Sequence, residues 1–585
     1  MSQTKSLVNR VLPILMFLLF FIIIHSTNVI TCAAIDDEVI VKAPIGTYQG
    51  FISQFPEYKA TARAFTGIRY AKAPVNSLRW KPTQPLDAFS GIYNATIETP
   101  GCPQRCELPP HTCPKTQSED CLFLDLYTPR LGAMKKNELL PVKEVSNRSY
   151  QTLYSGEILI EISSSSQIDH AAPNSILYDG TFIANKTSII MIIAGYRLGA
   201  LGWLANSKAQ MSGNYGFMDQ LTVLKWVQNN IAAFGGDPKR VTIGGQSAGA
   251  TSTTAHLISP ASKGLFHQVI VESNPLVLPM RLMDDVTINL ATPFAKQANC
   301  DVSDFECFQK LSIDSILEAQ YFLDTYKNLS IPLETFLPWA PTVASFDKLI
   351  PYQTFEAVQK GYYHNVPMIF GNVAEEALIF IYMGSKKKMT TLEYMALLYA
   401  VFGIEDGARV LNWYRPLLDG DKRPELSIMG TDYIFLCSLR NVLSQITTQN
   451  PELPVYNYIF NHVLTFDAWG PKYTYCVGHV CHGAELPFVF HSLGVHTLPD
   501  MHFSPEEDIL SISMVNYFTN FVKYGNPNGN STAVTWPRFS ANNRQTMMFQ
   551  TPFNQMVKDY KKDYCDEWDY IGYDHGWLNQ LKKKN

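Results

Sequence analysis

The 585-residue chain has no apolar run long enough to cross a bilayer as a helix: the longest, Val11 to Ile24, has fourteen residues against the ~20 such a helix needs. It has no excess of one charge either. Forty-seven Lys and Arg face 52 Asp and Glu, a net of -5, so no nucleic-acid partner is expected. Charged residues are scarce, 17% against 46% apolar, which excludes a disordered chain and implies a large buried core. There is no internal repeat, no low-complexity linker and no sign of a second-domain boundary. The closing residues Gln580 to Asn585 are polar and lysine-rich, with neither a lipid-anchor signal nor a Lys-Asp-Glu-Leu-type retrieval sequence.

What is present first is a leader. Lys5 and Arg10 precede the apolar run, and the small residues Cys32, Ala33 and Ala34 follow it, the layout of a secretory signal over 1–34. The expectation is one domain over 35–585, released or held in a vesicle lumen without a stable membrane anchor. Cys32 leaves with the signal, and ten of the eleven cysteines remain to pair. Four cysteines and four prolines crowd Cys102 to Cys121. In an oxidising compartment this reads as a stapled loop rather than a zinc site. Asn-x-Ser/Thr sequons begin at Asn94, Asn147, Asn185, Asn328 and Asn530 and are candidate glycosylation sites.

Short apolar runs between Val39 and Pro82, most strand-like at Phe65 to Ala71, predict an antiparallel leading edge. Further strands are predicted at Glu157–Ile162, Ser188–Ala194, Gln268–Glu272, Val366–Gly371 and Val455–Val463, and a core-facing helix over Met218–Phe234. Alternating strands and helices imply an α/β fold with a mostly parallel sheet covered on both faces. Gly235 to Pro238 is a turn signal. After it come the β-branched run Val241–Ile243, then Gly245-Gln246-Ser247-Ala248-Gly249, then a helix over Ala248–Leu257. Strand, Gly-x-Ser-x-Gly and helix in that order make a nucleophile elbow. Ser247 is the candidate nucleophile.

A serine hydroxyl attacks well only when a histidine takes its proton and an acid orients that histidine. After the elbow, Glu375 and Glu376 follow the strand predicted at Val366–Gly371. His479 and His482 lie in Gly478-His-Val-Cys-His-Gly-Ala-Glu485. Spacing leaves both pairs open.

The ordered motifs add a further constraint. Ser118 to Leu122, Tyr196 to Gly199, Gly213 to Gln220, Trp226 to Ile231, Phe234 to Pro238, Gly245 to Gly249, His256 to Pro260 and Gly264 to Phe266 make the chain resemble the type-B carboxylesterases. These are the cholinesterase-like branch of the α/β-hydrolases, and the resemblance extends over nearly the whole mature length. It implies Ser247 as nucleophile, Glu376 as acid and His482 as base. It also implies a small-molecule ester as substrate and no metal or organic cofactor. Family disulfides map to Cys102–Cys121, Cys300–Cys307 and Cys437–Cys565, leaving Cys106–Cys113 and Cys476–Cys481 by elimination. The extra pair in the first loop is most similar to slime-mould, crystal-protein-like members.

Four departures matter. Where relatives carry a His-Gly-Gly-Gly-like run, this chain has Ser163-Ser164-Ser165-Ser166. The oxyanion donors implied are the amides of Ser165, Ser166 and Ala248. Serine in backbone conformations suited to glycine costs about 1 kcal/mol per residue and crowds the site. The run therefore also fits a catalytically impaired relative used for binding, adhesion or vesicular storage. Gln246 stands where many relatives have glutamate, and Ala377 where many have glycine. No tryptophan lies between Cys102 and Gln117 to grip a quaternary ammonium, which speaks against acetylcholine.

Overall fold

The computed structural model describes residues 37–105, 114–131, 156–162, 178–325, 338–343, 346–416, 420–493 and 501–573. The leader 1–34, the oxyanion candidates Ser165 and Ser166, the pair Cys106–Cys113 and the sequon residues Asn147 and Asn328 lie outside them.

Eleven strands form the main sheet: Phe51–Phe55 (β1), Ala60–Arg69 (β2), Phe123–Thr128 (β3), Gly156–Ile162 (β4), Ile190–Ala194 (β5), Gly236–Gln246 (β6), Gln268–Glu272 (β7), Met368–Val373 (β8), Val455–Phe460 (β9), Gln545–Phe549 (β10) and Gln555–Lys558 (β11). Their spatial order is β1-β2-β3-β5-β4-β6-β7-β8-β9-β10-β11. From β5 to β10 every neighbouring pair is parallel, and the two margins are antiparallel. The expected parallel sheet with an antiparallel leading edge is the one observed.

Strands β5, β7, β8 and β9 are buried along their whole length, as central parallel strands must be. Alternate residues feed two separate cores. Ile190, Ile192, Val241, Ile243, Met368 and Phe370 join one; Met191, Ile193, Ile369, Tyr456, Tyr458 and Phe460 join the other. The helices Tyr215–Asn230 (α1), Ala248–Ile258 (α2) and Ser438–Gln449 (α3) cover the first face through residues such as Leu224, Leu257 and Leu443. Pro505–Tyr524 (α4) covers the second through Met514, Phe518 and Val522. The sequence starts and stops α4 unambiguously. Ser504 and Glu507 form a capping box, Pro505 fits the first turn, and Gly525 takes the left-handed turn at its end.

One local expectation is corrected. Gly235 to Pro238 reads as a turn, yet Gly236 already opens β6 by pairing with Gly156, and an irregularity before Val241 absorbs the kink. A bulge can carry Gly and Pro without ending the strand.

Among the described residues four disulfides are formed: Cys102–Cys121, Cys300–Cys307, Cys437–Cys565 and Cys476–Cys481. Of the sequon asparagines, Asn94 and Asn530 are exposed, whereas Asn185 is half-buried and donates to the Thr61 carbonyl at 2.9 Å. Cys437–Cys565 spans 128 residues and ties the segment before α3 to the helix Lys562–Ile571 (α5). Replacing both cysteines by alanine is expected to cost about 2–5 kcal/mol by releasing that long loop, read as a lower urea midpoint with a folded far-ultraviolet spectrum at zero urea.

Candidate active site

The elbow is a close-contact problem. The strand ending at Gln246 must turn directly into α2, and a Cβ on Gly245 would sit 2.5 Å from the Gly249 carbonyl carbon. Only glycine permits that approach. The turn leaves Ser247 at φ 58°, ψ -116°, a conformation L-residues rarely hold unless their surroundings impose it. Two hydrogen bonds do so: Ser247 N–H donates to the Glu272 carbonyl, and Thr251 N–H to the Ser247 carbonyl, both at 2.9 Å. Ala248 opens α2, so its N–H has no carbonyl four residues back within the helix.

The open choice between two acids and two histidines has a geometric answer: they form two parallel pairs. His482 Nδ1 lies 2.5 Å from Glu376 Oε2. Glu376 is fully buried, and only 9% of the His482 side chain is exposed. Glu376 Oε1 accepts the Val373 N–H at 2.8 Å, so both carboxylate oxygens are fixed. Glu375 instead meets His479 Nδ1 at 2.8 Å on the surface. With its Nδ1 proton aimed at Glu376, the His482 ring presents Nε2 to the elbow, 3.1 Å from the Gln246 amide nitrogen. The lone pair suited to taking a serine proton is shared with the residue preceding Ser247. Phe380 and Phe435 wall the ring, with centroids 4.8 and 5.6 Å away.

Sequence reasoning missed a buried carboxyl layer beneath the site. Glu272 and Glu485 are 1% and 0% exposed. Tyr458 donates to Glu272 at 3.3 Å, and Ser273 to Glu485 Oε1 at 3.1 Å. Tyr458 reaches across Gly371, where a Cβ would strike its ring at 2.1 Å. Burial raises the pKa of both acids, and Glu376 nearby raises that of Glu485 further. The available signal was a glutamate directly after the β-branched run Val269–Val271 of β7.

The oxyanion candidates Ser165 and Ser166 fall outside the described residues, although β4, which precedes them, pairs directly with β6. Among the described residues no His, Cys, Asp and Glu group could hold a metal.

The carboxylesterase family model matches residues 37–568, and the chain belongs to that family. It is 33% identical over 589 residues to the crystal protein of Dictyostelium discoideum, covering 98% of this chain and 100% of that one. It is 30% identical to an acylcarnitine hydrolase of Rattus norvegicus, covering 84% of each. A solved thermophilic PNB esterase shares the fold at a TM-score of 0.74, with 24% identity over 91% of this chain and 99% of that one.

The buried acids set a pH dependence. The folded protein binds the Glu272 and Glu485 protons more tightly than the unfolded chain does. The stability they contribute is therefore complete below the ordinary glutamate value of 4.5 and is lost as pH rises through the raised ones. Calorimetry from pH 4 to 8 should show Glu272→Gln matching the wild-type melting temperature at pH 4, exceeding it increasingly up to about pH 7 and levelling off above that.

Proposed function

We propose that the protein is a secreted serine carboxylic ester hydrolase working through an acyl-enzyme. Ser247 Oγ attacks the ester carbonyl while His482 Nε2 takes its proton, and Glu376 holds the imidazole in the right tautomer and stabilises the imidazolium. The tetrahedral oxyanion is received by the amides of Ala248, Ser165 and Ser166. His482 returns the proton to the departing alkoxide as the intermediate collapses. Water then attacks the acyl-Ser247 ester with His482 again as base, releasing the acid and restoring the serine.

The observation that carries this reading is the buried Glu376–His482 pair, whose outer nitrogen faces the strained elbow at Ser247. Membership of a family that includes named ester hydrolases supports the reaction class. The leader-like 1–34 segment, the four disulfides and the exposed sequons at Asn94 and Asn530 support the secretory route. Docking a substrate requires Gln246 to yield Nε2 to the Ser247 hydroxyl, a hydrogen-bond exchange made without breaking the Glu376 contact.

The run Ser163–Ser166 favours a second reading, a weakly catalytic esterase-like protein used for binding, adhesion or storage. A short-chain nitrophenyl ester assay separates them. Under the first reading wild type exceeds Ser247→Ala and an organophosphate labels Ser247 covalently; equal rates and no label favour the second. If crowding in the serine run limits turnover, Ser165→Gly with Ser166→Gly should raise kcat by about tenfold or more, toward the ~10²–10³ associated with one oxyanion donor. Steady-state kinetics of the double variant check this.

A further inference from the structure

The second acid–histidine pair has no part in the reaction above, yet Glu375 sits one residue from Glu376 and His479 three from His482. Glu375 grips the loop carrying His482 at three points. Its Oε1 meets His479 Nδ1 at 2.8 Å, its Oε2 accepts the Val480 N–H at 2.7 Å, and its own N–H donates to the Val480 carbonyl at 3.2 Å. The two backbones also form a parallel bridge between Glu375 and Cys481. Cys481 is bonded to Cys476, closing a ring just ahead of His482, and both cysteines are fully buried.

An exposed acid–histidine contact with side chains 37% and 45% accessible contributes little to stability, so its value lies elsewhere. His482 follows Cys481 by one bond of the backbone, and Glu376 follows Glu375 the same way. Fixing Glu375 against Val480 and Cys481 therefore fixes the origins of the two side chains that must meet at hydrogen-bond distance. We propose that Glu375 is a positioning residue. With His479 and the Cys476–Cys481 ring, it clamps the two loops in register so that the His482 imidazole stays aligned between Glu376 and Ser247. This rests on the triad reading above. Misalignment of a reacting group by about 1 Å costs on the order of 10²-fold in rate, and the clamp opposes that misalignment.

The test uses the full-length secreted protein, with kcat for a nitrophenyl ester counted per Ser247 labelled by an organophosphate. Glu375→Ala should lower kcat per site about ten- to hundredfold with KM within about twofold. Glu375→Gln should recover most of the loss, because its carbonyl still accepts the Val480 N–H and its amide stays within reach of the His479 ring. The proton between His482 Nδ1 and Glu376 is followed separately as a far-downfield proton NMR signal, assigned by its loss in His482→Ala. It should shift or broaden in Glu375→Ala. An unchanged signal together with kcat per site within twofold of wild type overturns the proposal and leaves the triad reading standing. Wild type that neither labels nor exceeds Ser247→Ala overturns the triad reading instead. The NMR signal then decides the clamp alone: displaced in Glu375→Ala it supports the clamp, unchanged it overturns it.

Discussion

The contact between Gly245 and Gly249 governs the rest of the site. A strand and a helix that come within touching distance leave the intervening residue no ordinary backbone conformation, and Ser247 is held out of the allowed regions by its neighbours. That arrangement is tolerable only inside a rigid frame. Here β6 is hydrogen-bonded on both sides, to β4 and β7, and the Glu272 carbonyl at the end of β7 holds the serine amide. Strain at one residue is offset by the order of the strands around it.

Much of the motif string that marks the family is scaffolding rather than chemistry. Arg197, from Tyr196 to Gly199, makes a bidentate pair with Asp219, from Gly213 to Gln220, and the two are 3% and 0% exposed. Glu119 and Asp120 likewise clamp Arg79 and Arg69 through paired contacts. His256 stacks on Phe217 at 4.2 Å with both ring nitrogens engaged, and burial lowers its pKa to about 3. It is a neutral core histidine. These residues keep the sheet and its crossing helices in one relation, and so fix where the elbow points.

The fold was legible because its signals are local. Strand β7 runs over the predicted Gln268–Glu272, and the predicted helix from Met218 begins three residues earlier, at Tyr215, and passes into a tighter turn over Ile231–Phe234. The site was legible only in part. Ser247 announces itself through its own neighbours, but Glu375, Glu376, His479 and His482 belong to two distant loops whose meeting is a tertiary fact. Spacing could not choose between the pairs because all four residues are used, one pair inside and one outside. The buried acids escaped notice for a related reason: a lone Glu272 or Glu485 looks ordinary until the sheet brings them under the same roof as Glu376.

The separation of parts along the chain has a bearing on synthesis. Gln246, next to Ser247, and His482 are 236 positions apart, and the strand-by-strand order of the sheet puts Glu376 and His482 late in the polypeptide. A nascent chain that has already shaped its serine bend still lacks the imidazole that lies against it. Until the segment around residue 482 emerges, the Gln246 amide has no ring nitrogen to meet, so the bend and its histidine neighbour come together only as a late tertiary event.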